Sequence, residues 1–312
     1  MKTKILDSNR NINLARGAPR ILACLALALT LPAICLQAQV LDISKSVLLS
    51  WPEPAQEQIV VGSDYPAGPV WTPWPEPIFK RFGQLCMTVP TTANQQYFKL
   101  VPGRQFVDDF SDTSGPFTNR NCWMSLVQEA GEEWYVTNGV LKLQSTNGGF
   151  LLVPLGTNAA AKHADFFISA DILDWMASGT NWNVFTLAGR MVIHSPTAGI
   201  GYGGGLILNA DGIAGRLQLY MFHEWKEAWG PKFDMGTNPP PYRVELSGVG
   251  KPTCRLRLRV LNLTTKALIG EQTLLATEIL SGFPGIWVNK DFQTGETISI
   301  TADNYFVSGT KP

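Results

Sequence analysis

Two short acidic-aromatic segments bracket roughly the last two hundred residues of this 312-residue chain. One is Phe106-Val107-Asp108-Asp109-Phe110-Ser111, and the other is Ala302-Asp303-Asn304-Tyr305-Phe306-Val307. Between them apolar residues recur at every second position in short stretches, broken by Gly, Asn and Pro. Period two is the spacing of a strand with one buried face, and frequent turn residues mark antiparallel connections. The expected fold is all-β: a two-sheet antiparallel jelly-roll sandwich, with a small β module ahead of it, whose first and last strands meet. No convincing amphipathic helix appears. Residues 159–163 and 224–228 are the only short runs that read as a helical turn within a loop.

The register of several strands is readable. In Cys254-Arg255-Leu256-Arg257-Leu258-Arg259-Val260 three arginines share one face and four apolar groups the other. A slip of one residue would bury all three charges, so this register is strongly fixed. Leu217, Leu219 and Met221 alternate with Arg216, Gln218 and Tyr220, and Ile298, Ile300 and Ala302 alternate with Thr297, Ser299 and Thr301. Asn138-Gly139 is a dipeptide favoured in tight hairpins.

The N-terminus reads as a targeting segment. Lys2, Lys4, Arg10, Arg16 and Arg20 precede an apolar run over residues 21–35, which is too short for a comfortable bilayer span and has the length of a signal core. Cleavage is expected after Ala38, giving a signal peptide over residues 1–38; an uncleaved anchor is the other reading. Five of the 25 basic residues and one of the 25 acidic ones lie in that segment, so the remainder carries four more acids than bases. A mildly acidic chain with no basic block is a poor candidate for nucleic acid or an anionic membrane, and no later run is apolar enough to span a bilayer. The protein is expected to be exported, to the periplasm, the cell surface or the medium. Export permits disulfides, yet Cys86, Cys122 and Cys254 are an odd number. Cys254 is in phase with Leu256 and Leu258 and is expected to point into a core; a Cys122–Cys254 bridge is the alternative.

Residues 39–103 read as a small β module. Strand candidates are residues 46–51, 58–61, 84–89 and 96–101, and Pro- and Trp-rich connections separate them. The order Leu49-Ser50-Trp51-Pro52, a strand, a Trp turn and Tyr97-Phe98-Lys99-Leu100 resembles a short fibronectin-type-III-like module of secreted bacterial proteins. So thin a core is expected to lean on the larger domain or on its own tryptophans. Residues 101–105 are the linker candidate, and the large domain runs over residues 104–312.

The large domain also carries a resemblance. Asp108-Asp109-Phe110, Trp134-Tyr135-Val136 with Asn138-Gly139-Val140-Leu141, Phe167-Ile168-Ser169-Ala170-Asp171-Ile172 and Gly203-Gly204-Gly205-Leu206 come in that order. Tyr242-Arg243-Val244-Glu245-Leu246, Gly285-Ile286-Trp287-Val288 and Asp303-Asn304-Tyr305-Phe306 follow. The sequence resembles the concanavalin A-like jelly-roll superfamily, nearest to its laminin-G-like and 3-keto-disaccharide-hydrolase-like domains. The resemblance implies a fold and a carbohydrate-related direction for function; the same sandwich serves lectins, glucanases and inert modules.

Catalytic motifs are missing. Laminarinase-type members use Glu-x-Asp-x-x-Glu, which puts its carboxylates on one strand face, and no Glu here has an Asp two residues later. There is no Gly-x-Ser-x-Gly elbow and no His-Glu-x-x-His helix; His223-Glu224-Trp225-Lys226-Glu227 ends on Glu. Residues 199–205 are Gly-rich but precede no phosphate-binding helix, and read as a loop entering a strand. A sugar-stacking platform is the better lead: Trp225 and Trp229 with His223 and Glu224, then Trp182 and Tyr202. The competing reading makes these rings core plugs or loop anchors. Arg255, Arg257 and Arg259 could fork onto acidic groups, or be balanced by cross-strand acids. Asp108, Asp109, Asp303 and Asn304 supply the oxygens calcium prefers, where the terminal strands meet; the alternative is turn capping, and simple strand phase separates Asp303 from Asn304.

The leading expectation is an exported, non-catalytic β-sandwich that binds polysaccharide or cell-surface glycan. A hydrolase or lyase of modified sugars is the rival; it would need carboxylates from distant strands, such as Asp171, Asp174, Glu224 or Glu245, to converge. A purely structural extracellular module is the third reading.

Overall fold

The period-two stretches are strands. Cys254–Asn262 buries Cys254, Leu256, Leu258 and Val260 completely and leaves Arg255 and Arg257 exposed, the phase its charges demand. Tyr242–Val249 and Val140–Ser145 alternate in the same way. Asn138 and Gly139 both have positive φ, 51° and 75°, and form a two-residue turn between Glu132–Thr137 and Val140–Ser145. Mirror-image turns of this kind match the twist of paired strands, which is why Asn-Gly marks them in sequence.

The computed structural model describes residues 2–4, 46–52, 57–65, 67, 70–81, 83–90, 96–111, 115–116, 123–128, 132–146, 149–154, 162–178, 183–195, 198–223, 233–277, 279–289 and 297–312. They fall into two units. In the smaller, Lys2–Lys4, Ser46–Pro52, Gln84–Pro90 and Phe79–Arg81 form an antiparallel sheet in that order. Among the described residues, Leu49, Trp51, Cys86, Met87 and Val89 are buried in it. The rest of residues 1–38, expected as a signal segment, lies outside the described residues, as does Cys122.

The larger unit is a two-sheet sandwich. One sheet runs Leu268–Ala276, Cys254–Asn262, Tyr242–Val249, Phe166–Ala177, Ile298–Thr310, Val140–Ser145, Glu132–Thr137 and Gly115–Pro116. A branch leaves it at Ile298–Thr310, through Tyr97–Asp108 to Gln58–Ser63 and Thr72–Pro73. The other sheet runs Phe233–Thr237, Arg216–His223, Ala198–Leu208, Asn183–Ser195, Phe283–Asn289, Gly149–Pro154 and Trp123–Gln128. Both inner faces feed one core that includes Trp134, Leu143, Ile168, Phe185, Leu206 and Leu258. Each such side chain contributes about 1.5–3 kcal/mol on leaving water.

The bracketing segments do meet. Phe106, Val107 and Asp108 pair with Val307, Phe306 and Tyr305, and the ladder continues to Gly103–Thr310. Trp123 closes the corner. Its ring lies 4.9 Å from Tyr305 and 5.6 Å from Phe106, both edge-on, and its Nε1–H donates to Asp108 Oδ2 at 2.7 Å. Residues 101–105, expected as a linker, are continuous strand within Tyr97–Asp108. Gln58–Ser63 and Tyr97–Asp108 join the larger unit, so the expected small module divides between the two.

Residues 199–205 are strand, not loop. They belong to Ala198–Leu208, where a Cβ at Gly205 would collide with the Phe185 carbonyl of the neighbouring strand. Cys254 is unpaired and buried in the core, and burial pushes its thiol up to about 11.

Candidate functional site: the outer face of the larger sheet

Alternation that buries Ile168, Ala170 and Ile172 turns Asp171 outward; the same phase turns out Arg243, Glu245 and Arg259. Register then sets Asp303, Asp171 and Arg243 side by side on three strands. Glu245, Arg259 and Glu271 form the next row. Asp171 and Arg243 make a bidentate pair, Nε to Oδ1 at 2.7 Å and Nη2 to Oδ2 at 2.9 Å. Asn304 Nδ2 donates to Asp171 Oδ2 at 3.0 Å. Asn304 reaches this face because register shifts flank Asp171 and its own φ is 49°. A bulge of this kind re-aims a side chain that simple alternation would send to the other face.

A segment ahead of the sandwich adds a carboxylate. The Ile78 N–H donates to Gln105 Oε1 at 3.0 Å, and Gln105 Nε2 donates to the Glu76 carbonyl and to Ser308 Oγ. Glu76 feels both Arg243 and Glu245. Burial raises the carboxyls of Glu76, Glu245 and Asp303 above their ordinary range; neighbouring guanidinium groups oppose this at Glu76 and Glu245, and the Asn304 N–H opposes it at Asp303. The hydrogen bond to Asp171 raises Arg243. The Arg243 side chain is 37% exposed and Asn304 is exposed, so solvent reaches the row. It offers guanidinium and amide donors beside carboxylate acceptors, and carboxyls that hold a proton more readily than free ones.

The arginine stripe is balanced across strands: Arg257 Nη2 to Glu271 at 2.7 Å, Arg259 Nη1 to Glu245 at 3.2 Å. Of the four carboxylates named for the enzyme rival, Asp171 and Glu245 do come together, Asp174 is exposed elsewhere on its strand, and Glu224 lies outside the described residues. Arg243, Glu76 and the Asn304 contact were not singled out from sequence. Arg243-Val244-Glu245 carried the signal, two charges two residues apart on a strand face.

The expected aromatic platform fares differently. Trp225, Trp229, Glu224 and Trp182 lie outside the described residues. The backbone of His223 pairs with Tyr202 at the end of Arg216–His223. Tyr202 is fully buried; its OH accepts the Ile279 N–H at 3.0 Å and donates to the Thr277 carbonyl at 2.9 Å. It is a core plug and cannot meet a sugar. Trp175, half-buried, donates Nε1–H to Tyr242 Oη at 3.0 Å.

The expected calcium ligands are likewise engaged. Asp108 is buried, with Oδ1 accepting the Phe110 N–H at 2.9 Å and Oδ2 accepting Trp123; Asp109 Oδ1 accepts the Ser111 N–H and hydroxyl. Asp303 Oδ1 accepts the Asn304 N–H at 2.7 Å. Among the described residues no group of three or more His, Cys, Asp or Glu side chains is disposed to hold a metal. Oδ1 of each of these three aspartates accepts a local backbone N–H.

No family model matches the chain, and no curated protein matches it. Solved structures to which the chain is similar include a protein of unknown function from Shewanella oneidensis MR-1, 12% identical over 84% of this chain and 92% of that one, with a TM-score of 0.37. A legume lectin-like domain from Entamoeba histolytica is 7% identical over 62% and 96%, with a TM-score of 0.41. A glycoside hydrolase family protein from Mycobacterium thermorestibile is 9% identical over 64% and 99%, with a TM-score of 0.40. At these scores none of them bears on what this chain does.

Proposed function

We propose that the protein is an exported, non-catalytic glycan-binding β-sandwich, with residues 1–38 as its export signal and the outer face of the larger sheet as its binding surface. The observation that carries this reading is the solvent-reached row Asp303–Asp171–Arg243 with Asn304. Paired donors and acceptors on rigid strands suit sugar hydroxyls, which both give and accept hydrogen bonds. Glu76, Asp171 and Glu245 lie around Arg243, and Asp303 sits beside Asp171, so neutral sugars fit better than acidic ones. The Trp225 and Trp229 segment, with His223 and Glu224, is the rival surface. A glycan array on the purified chain tests both. Arg243→Met with Asn304→Ala is expected to abolish binding, and Trp225→Ala with Trp229→Ala to leave it intact. The reverse outcome moves the site to the tryptophans, and binding that survives in both sinks both.

One observation favours a second reading. Asp171 and Glu245 converge, and Glu245 has a raised carboxyl suited to a general acid. A sugar hydrolase or lyase built on this pair would release new ends from a bound oligosaccharide and lose that activity on Glu245→Gln. Binding without any release over long incubation excludes it.

A further inference from the structure

Residues 162–165 tie the two sheets together at one end of the sandwich. The His163 N–H donates to the Gly282 carbonyl at 2.8 Å, and the Gly282 N–H returns to the His163 carbonyl at 3.0 Å. Gly282 leads into Phe283–Asn289 of the smaller sheet. The Ala164 N–H donates to the Thr310 carbonyl at 2.9 Å, and the Thr310 N–H donates to the Asp165 carbonyl at 2.9 Å. Thr310 ends the last strand of the larger sheet. Arg190, itself 0% exposed, reinforces the junction by donating to the carbonyls of Ala164, Ile279 and Gly250.

The His163 imidazole sits inside this junction, 1% exposed. It hydrogen-bonds the Gly309 backbone, and its Nδ1 leaves no room for a Cβ there. Nε2 has no hydrogen-bond partner among the described residues. Among the described residues, the charged groups on the elements packed here are Arg104, Arg190, Lys162, Lys311, Asp165 and Glu57. Both carboxylates are already engaged: Asp165 Oδ1 with Arg190 Nη2 at 3.3 Å and the Gly250 N–H at 2.9 Å, Glu57 with Arg104 at 3.0 Å and Lys311 at 3.9 Å. A neutral imidazole fits. A second ring proton would be a buried donor with no acceptor, added among cations.

We propose that His163 is an acid-released latch: proton uptake at its unpartnered Nε2 frees residues 162–165 from Gly282 and Thr310 and opens this end of the sandwich. The latch is independent of the glycan reading. Its sign follows from linkage. Burial lowers the imidazole from 6.5 to about 4, so between those values the opened form takes up a proton that the closed form refuses. Closure is fully favoured above pH 6.5 and weakens up to about tenfold per pH unit as pH falls toward 4.

Native-state hydrogen exchange on the full chain between pH 7.5 and 4.5, corrected for intrinsic rates, tests it. The opening constants of the Ala164, Gly282 and Thr310 amides are expected to rise up to about tenfold per unit below pH 6.5, while those of Val244 and Leu256 move far less. His163→Gln is expected to flatten the response. An equal rise in that variant, or none in the native chain, overturns the latch. Should the variant not fold, imidazole NMR of the native chain decides, since it has only three histidines. The His163 ring is expected to stay neutral until the junction amides lose protection. Titration near 6.5 with those amides still protected overturns the proposal.

Discussion

Asp171 is the residue on which the outer row depends. It is almost wholly buried, yet it takes both arms of the Arg243 guanidinium and the Asn304 amide. Asp171→Asn keeps the shape and removes the charge, leaving a half-exposed guanidinium without its bidentate carboxylate partner. We expect a loss of about 2 kcal/mol, read as a lower urea midpoint at unchanged slope; solvent around Arg243 keeps the cost below that of a fully buried pair. Arg190 is the harsher case. Its guanidinium satisfies three carbonyls and the Asp165 carboxylate from a site with no exposure. Lysine has one ammonium and no fork, so Arg190→Lys should cost about 3 kcal/mol or more in the same titration. An effect under about 1 kcal/mol would show that these bonds add little.

Among the elements, the Asn138-Gly139 hairpin gives the cleanest test of local chemistry. Gly139 has φ 75° with nothing near its missing Cβ but Ser111 Cα at 3.9 Å, so space is not the constraint and backbone conformation is. Gly139→Ala should therefore cost about 1 kcal/mol or more, visible as a drop in Tm, and a neutral result would contradict the mirror-image turn. The Cys254–Asn262 phase was legible in the sequence because one face lies in the core and the other in water; the turn was legible from its Asn-Gly pair, and the meeting of the terminal strands from their matching acidic-aromatic segments. The smaller sheet was harder. Val184, Ala188, Tyr220 and Trp287 on its outer side are buried too, so Phe283–Asn289 shows no alternation, and Ala198–Leu208 hid behind its glycines. Asn304 was misphased from sequence because a bulge cannot be read from period two. The junction between Asp171 and Arg243 was out of reach for another reason: strand pairing across some seventy residues is set by topology, which residue spacing does not encode.

At the scale of the whole molecule, two sheets closed by their terminal strands present a rigid polar row to solvent on the larger sheet. We propose that this row binds glycan. Hydrogen exchange read by mass spectrometry, with and without the tightest oligosaccharide from the array, tests it directly. Protection is expected to be gained in Phe166–Ala177, Tyr242–Val249 and Ile298–Thr310, the three strands that carry Asp171, Arg243 and Asn304. Protection confined to residues 216–237, with those three strands unchanged, would contradict it.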